Sequence, residues 1–391
     1  MEAGEPGEQL LLLTKTQRSI SYAGCGLPYY VGGSIENREE LIVNTPQKQK
    51  YRGLTGVEVR TLREATHVDP AAKVVTAQNL ENGQEETYGY DKLILATGAS
   101  AVKLPIPGVD LNGVFPMRAP EDAITMRDYL EANGVKKAVV IGGGFIGLEL
   151  AENLFDRGVS VTVVEAASQI LSGVLDPEMA GYVQRHLAQK GIRVLTGTKA
   201  TALVGNGKVE GVQTGGGLLP CGVVVVSAGI RPNTAFLEGT GIQMEKGAIV
   251  VDECLATSVA DIYAAGDCAL VKNRLTGKAQ YCPHGLLRQP GGPYLGPEPQ
   301  RGKQDILPGV LGTGVVKLPG LNVGRTGLTE SAAKEAGYDV ETVVAVTDDK
   351  AHYYPGAAFF ITKLIADRNT HQLLGVQVLA PARWTRWWIS P

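Results

Sequence analysis

Few of the 391 residues are cysteines: Cys25, Cys221, Cys254, Cys268 and Cys282 are an odd number with no close pair, which argues against both a disulfide framework and a zinc site. Any cysteine chemistry must therefore rest on a single thiol. Lys and Arg are scattered, and the net charge is −3, so no basic face is set out for nucleic acid. Long apolar runs are also missing. The early run from Leu10 to Leu13 is too short and too acidic in its flank for a signal peptide or a membrane span, and the expectation is a cytoplasmic protein. The first twenty residues, "MEAGEPGEQLLLLTKTQRSI", contain no glycine-rich phosphate loop. All three tryptophans fall in the last ten residues, "ARWTRWWISP".

What is present reads as α/β. The runs "KLILATGAS" (92–100), "KAVVIGGG" (137–144), "VSVTVVE" (159–165), "VVVVSAGIRPN" (223–233) and "DIYAAGDC" (261–268) are continuous, β-branched and end in Gly-rich or Asp-bearing turns. Such runs read as strands buried on both faces of a parallel sheet. Between the second and third, "FIGLELAENLFDRG" has helical spacing and stops at Gly158, which makes a βαβ unit. Beyond Pro308 the texture changes to shorter strands around a helix at "SAAKEAG", read as a separate α+β domain. Two segments look foreign. Residues 283–309 hold six prolines and six glycines, against 21 and 50 in the whole chain, and no helix can run through them. With 382–391, they read either as a Pro-rich loop and an amphipathic end or as replaced sequence.

Gly142, Gly144 and Gly147 form a G-x-G-x-x-G that follows a strand, opens a helix at Phe145 and lies 18 residues before Glu165 at the tip of the next strand. In that setting the glycines let backbone N–H groups approach a pyrophosphate at the positive helix end, and the carboxylate takes the adenosine ribose hydroxyls. The charge of Glu165 repels a 2′-phosphate, and "AASQIL" after it offers no cation, so NADH is favoured over NADPH.

"YDKLILATGA" (90–99), "GIRPN" (229–233) and "TSVADIYAAGDC" (257–268), which stand in the family's order, resemble the pyridine nucleotide-disulfide oxidoreductases. The resemblance covers roughly 15–282 and 308–380. It implies two interleaved Rossmann-like domains and a C-terminal α+β dimerisation domain: an FAD-binding domain in two parts (1–116 and 241–307), an NAD(P)H-binding domain (117–240) and residues 308–391 for dimerisation. By resemblance Gly266 and Asp267 bind the FAD ribitol, and Thr97 and Gly98 lie beside the FAD segment. Read alone, Asp267 is equally a turn aspartate. The family's first strand, phosphate loop and helix would precede the chain, and Lys15 stands where a ribose-binding acid is expected; the FAD domain is thus expected to be truncated, and the C-terminal helices with it.

"SYAGCGLPYY" (21–30) resembles the single-cysteine branch that holds coenzyme A disulfide reductases, persulfide reductases, NADH oxidases and NADH peroxidases. The residues alone leave Cys25 as either packing or an open, activatable thiol between two glycines. The resemblance implies hydride transfer from NADH to FAD and then reduction of a mixed disulfide between Cys25 and a low-molecular-weight thiol. In oxidase or peroxidase relatives Cys25 would cycle through sulfenic acid. "HYYPGA" (352–357) resembles the loop that crosses a homodimer interface, so that Tyr353 or Tyr354 would protonate the leaving thiolate; otherwise it is a packed turn. A reading of another class is an NADH-binding chain without flavin or catalysis.

Overall fold

A computed structural model describes residues 9–17, 21–44, 57–282 and 307–381. The expectation of foreign sequence at 283–309 and 382–391 falls almost wholly outside them. The described residues form two compact units. One comprises residues of Met1–Ala23, Glu39–Ser100 and Ile230–Val310; the other comprises Gly24–Arg38, Ala101–Gly229 and residues of Leu311–Pro391.

In the second unit, Val114–Pro116, Val223–Val226, Lys137–Ile141, Ser160–Val164 and Arg193–Leu195 line up in that order as an all-parallel sheet. The cause is visible in the residues: Val223 to Val226 are four consecutive buried valines, and Val139, Val140, Val161 and Val163 are buried too. Strands of this kind need cover on both faces, and the crossovers supply helices. Phe145–Asp156 buries Leu148, Leu150, Ala151 and Leu154. Pro177–Lys190 starts with a proline in its first turn, where no N–H is needed, and stops at Gly191.

The C-terminal part is a five-stranded antiparallel sheet in the order Gly314–Leu318, Leu321–Gly327, Leu373–Pro381, Phe359–Asp367, Val340–Asp348, with a short helix Glu330–Glu335 capped by the Thr329 side chain. Alternation is strict where one face is covered: Ile361, Lys363, Ile365 and Asp367 point inward. Lys363 is the exception in chemistry. Its ammonium is buried with Asp176 at 3.0 Å, Glu178 at 2.5 Å and Glu330 at 2.8 Å.

In the first unit, the parallel pairs Leu11–Thr14 with Glu58–Thr61 and Leu93–Leu95 with Ile262–Ala264 stand beside two further sheets. One is an antiparallel meander, Arg63–Asp69, Val74–Asn79 and Glu85–Gly89; the other has four strands between Met244 and Tyr281. Val68, Val75, Leu95, Ile249, Ile262 and Cys268 form a common core. The α/β class with a separate C-terminal α+β part is as expected; the meander carried no parallel-sheet texture and was not foreseen. Among the described residues no helix is long and apolar enough to cross a membrane, and no cluster of ligating side chains suits a metal ion.

Candidate functional site

The glycine loop is built by steric necessity. Gly142 has φ +112°, and a Cβ there would lie 2.2 Å from the Ser227 carbonyl oxygen; a Cβ at Gly147 would lie 2.1 Å from the Gly142 carbonyl oxygen. Any larger residue breaks the turn or the helix contact. A Cβ on Gly144 would meet nothing within 4 Å, so the backbone at the helix entrance faces open space. Glu165 closes the arrangement from the neighbouring strand, its carboxylate accepting from the N–H of Gly143 at 2.6 Å and of Ala167 at 2.7 Å. Gly142, Gly144, Phe145, Gly147 and Glu165 are therefore brought together, and the open helix entrance fits a dinucleotide pyrophosphate.

In the other unit Thr97, Gly98, Gly266 and Asp267 converge at the ends of the paired strands Leu93–Leu95 and Ile262–Ala264. Asn233 clamps the first pair, donating from its backbone to the Gly98 carbonyl at 2.9 Å and from Nδ2 to the Thr97 carbonyl at 3.0 Å. The Thr97 hydroxyl is buried with no hydrogen-bond partner among the described residues. Gly266, at φ +80°, would place a Cβ in open space, and Asp267 beside it is 5% exposed with its carbonyl held by the Tyr281 hydroxyl at 2.8 Å. An orphaned hydroxyl beside a side-chain-free turn fits the polar chain of a flavin nucleotide. Lys15 follows the Leu11–Thr14 strand and pairs at 3.4 Å with Glu64, both well exposed. Burial pushes the Cys268 thiol up, as a structural cysteine requires.

Cys25 is exposed, in the single turn Gly24–Gly26 that leads into the helix Leu27–Gly32. That helix buries Leu27, Tyr30 and Val31 and is anchored at its C-terminal end by two arginines. Arg127 lies over the Tyr30 ring at 4.6 Å and donates to the carbonyls of Tyr30 and Ile35 at 3.2 and 2.9 Å; Arg157 donates to that of Val31 at 2.8 Å. Guanidinium groups thus satisfy carbonyls that a helix end leaves open.

Behind the thiol lies a set of side chains that sequence reasoning missed. Tyr29, Glu149, Glu152 and Lys317 interact, with Lys317 Nζ 3.1 Å from Glu152 and 5.6 Å from the Tyr29 ring centre. Burial, then Glu149, Glu152 and Cys25, push the Tyr29 phenol up to about 12. Burial and then Glu152 push Glu149 up to about 7. The signal was two carboxylates, Glu149 and Glu152, three residues apart among the buried leucines of this helix.

Tyr353 and Tyr354 lie on the loop between the last two strands of the antiparallel sheet, 74% and 56% exposed, with stacked rings 5.1 Å apart. The loop is held locally, by Tyr354 N–H to the Ala351 carbonyl at 2.9 Å and Lys350 to the Pro355 carbonyl at 2.7 Å, and the His352 ring meets Tyr353 edge-on. The rings are presented outward rather than packed.

Known proteins share this build. Residues 1–284 match the family model described as pyridine nucleotide-disulphide oxidoreductase, and residues 315–385 match that family's dimerisation domain. An NAD(P)H sulfur oxidoreductase (CoA-dependent) of Pyrococcus furiosus is 37% identical over 361 residues, covering 92% of this chain and 80% of its own. An NADH oxidase of Methanocaldococcus jannaschii is 34% identical over 375 residues, covering 96% and 82%. The solved structure of an NAD-dependent persulfide reductase from A. fulgidus superposes with a TM-score of 0.89 at 36% identity, over 95% of this chain and 69% of that one. With the dinucleotide loop, the flavin-compatible turn and the antiparallel C-terminal sheet in place, the chain belongs to the pyridine nucleotide-disulphide oxidoreductase family, whose members use FAD and NAD(P)H.

Proposed function

We propose that the protein is a homodimeric reductase of a low-molecular-weight disulfide or persulfide, such as coenzyme A disulfide, that oxidises NADH and works through Cys25. The observation that carries the reading is the exposed thiol of Cys25 between two glycines, in the turn that leads into a helix pinned by Arg127 and Arg157. The relatives named as CoA-dependent sulfur oxidoreductase and as persulfide reductase support the substrate class.

The Gly142–Gly147 loop holds the NADH pyrophosphate on backbone N–H groups at the helix N-terminus, and Glu165 orients the adenosine ribose. Its charge sets NADH above NADPH. Thr97, Gly98, Gly266 and Asp267 hold FAD, which when bound supplies the electron pair taken from NADH. The Cys25 thiolate attacks one sulfur of the substrate disulfide; a new S–S bond forms to Cys25, the old one breaks, and the second sulfur leaves as a thiolate that takes a proton. Tyr353 or Tyr354 of a second copy donates that proton, which explains two tyrosines held outward. Val343, Val344, Val346 and Phe359 are exposed on the same edge of the sheet, an apolar strip suited to burial against a second copy.

The test is NADH consumption under argon with coenzyme A disulfide, for the parent protein and Cys25→Ser. Turnover that depends on Cys25 supports the reading, and full activity in Cys25→Ser refutes it. The relative named as an NADH oxidase favours a second reading, in which oxygen drives NADH consumption and Cys25 cycles through sulfenic acid. Turnover in air without any disulfide selects it.

A further inference from the structure

The loop between Glu165 and the helix Pro177–Lys190 grips the glycine turn at one end and the C-terminal sheet at the other. Gly143 is held on both of its polar groups: its N–H donates to Glu165 at 2.6 Å, and its carbonyl accepts from the Leu171 N–H at 2.9 Å. A Cβ on Gly143 would lie 2.8 Å from Ile170 Cγ2, so loop and turn are in close contact. Ile170 and Leu171 are buried, and Leu171 has φ +51°, a left-handed backbone that a bulky residue keeps only where its surroundings impose it. Inside the loop the Leu171 carbonyl accepts from the N–H groups of Val174 and Leu175 at 2.9 and 3.0 Å, which makes residues 171–175 one tight turn.

The anchor of that turn is a row of side chains on the antiparallel sheet. Arg325 stands opposite Gln377, and Gln377 opposite Lys363, on three adjacent strands, so the three share one face. Each of them meets the loop or its last residue. Arg325 Nη1 donates to the Gly173 carbonyl at 2.7 Å. Gln377 accepts from the Asp176 N–H at 2.9 Å and donates to the Asp176 carboxylate at 2.6 Å, and Lys363 Nζ lies 3.0 Å from the same carboxylate. Asp176, Gln377 and Lys363 are buried, where polar groups need these partners, whereas Arg325 is half-buried.

We propose that the row Arg325, Gln377 and Lys363 positions the nucleotide-selecting carboxylate, so that a strand outside the dinucleotide fold sets the preference for NADH. The contacts run without a gap from the Arg325 guanidinium to the Gly173 carbonyl, through the turn to Leu171, from its N–H to Gly143, and from the Gly143 N–H to Glu165. Without the Arg325 bond the turn relaxes, Leu171 leaves its left-handed backbone, and Glu165 is no longer aimed at the adenosine ribose. A carboxylate that swings freely binds ribose hydroxyls less well and repels a 2′-phosphate less strongly. Arg325 is thus a positioning residue, acting through Gly173, Leu171 and Gly143. This deepens the reading of Glu165 and the glycine loop as the NADH site and rests on it.

The experiment is calorimetric titration of the oxidised protein with NAD+ and with NADP+, neither of which it can oxidise further. Arg325→Ala should weaken NAD+ binding roughly three- to tenfold, a part of what one charge-assisted hydrogen bond supplies. The same variant should change NADP+ binding by less than about twofold, because lost contacts and lost repulsion offset each other. Arg325→Lys keeps a cationic donor and should recover most of the loss for NAD+. In turnover with coenzyme A disulfide, Arg325→Ala should raise the KM for NADH and leave kcat unchanged, since only uniform binding is removed. Parent-like NAD+ affinity in Arg325→Ala overturns the proposal, and so does an equal loss of NAD+ and NADP+, which general destabilisation produces. So does an Arg325→Lys variant that binds NAD+ no better than Arg325→Ala. Failure of the underlying reading looks different: Glu165→Ala then leaves the preference for NAD+ in place, and the proposal falls with it.

Discussion

Replacing Lys363 with methionine should cost more stability than any surface charge in the protein. The ammonium is 1% exposed and lies among Asp176, Glu178 and Glu330, of which Asp176 is also buried, at 4%. Asp176 is tied further, accepting from Gln377 Nε2 at 2.6 Å and from the Glu330 N–H at 3.1 Å, so it cannot swing out to water when its cation goes. Methionine fills much of the aliphatic volume and leaves one buried carboxylate without its counter-charge. Breaking a buried pair in this way costs about 3–5 kcal/mol. Glu178 and Glu330 are partly exposed and add little, because water screens them. Urea unfolding at fixed protein concentration and pH 7 should show that loss as a lower midpoint at unchanged slope. The pH dependence has a definite sign. Glu330 is held down at about 2, first by Lys334 and then by Lys363, so its contribution is present above its ordinary value of 4.5 and fades as pH falls through about 2. Because Lys334 stays in the variant and Glu330 adds little to the difference, the gap between parent and variant should narrow only slightly as pH falls from 4.5 towards 2 and stay level towards neutrality. Adding Asp176→Asn to the variant removes the stranded charge and should return at least half of the loss. A drop below about 1 kcal/mol, or a double variant no more stable than the single, would refute the argument from charge burial.

Three further outcomes are expected. Glu165→Ala should narrow the preference for NADH over NADPH by roughly 1–3 kcal/mol, measured as the ratio of dissociation constants, and equal or tighter binding of NADPH by the parent would contradict the role given to that carboxylate. Gly147→Ala places a Cβ 2.1 Å from the Gly142 carbonyl oxygen, so nucleotide affinity should fall at least tenfold while the far-UV circular dichroism stays near that of the parent. Arg127→Ala removes donors to the Tyr30 and Ile35 carbonyls and the cover over the Tyr30 ring; amides of residues 27–32 should exchange faster by a factor equivalent to about 1–3 kcal/mol, and unchanged exchange would count against Arg127 as the anchor.

The parts of this molecule that were legible in its sequence are those where one local rule acts alone. Val223 to Val226 and the run ending at Ile141 declare buried parallel strands because nothing else makes four consecutive β-branched residues useful, and Gly142 and Gly147 declare a dinucleotide turn because the approaches of 2.2 and 2.1 Å there admit no side chain. Lys363 and Glu152 obey no such rule. Each has the residue type of a solvated surface, and each is buried where a partner distant in sequence meets it: Asp176 lies 187 positions before Lys363, and Lys317 lies 165 positions after Glu152. Local pattern reads the charge and misses the partner. The same holds for Tyr29, which looks like the apolar half of "LPYY" until the opposing helix brings carboxylates against it. Motifs therefore identify the chemistry that the family shares, whereas the partners of buried charges depend on contacts which only the folded chain creates. Tyr29 is the clearest case, since Glu149 and Glu152 act on its phenol from the helix Phe145–Asp156 and Lys317 lies over its ring from a strand of the C-terminal sheet, 288 positions further along the chain.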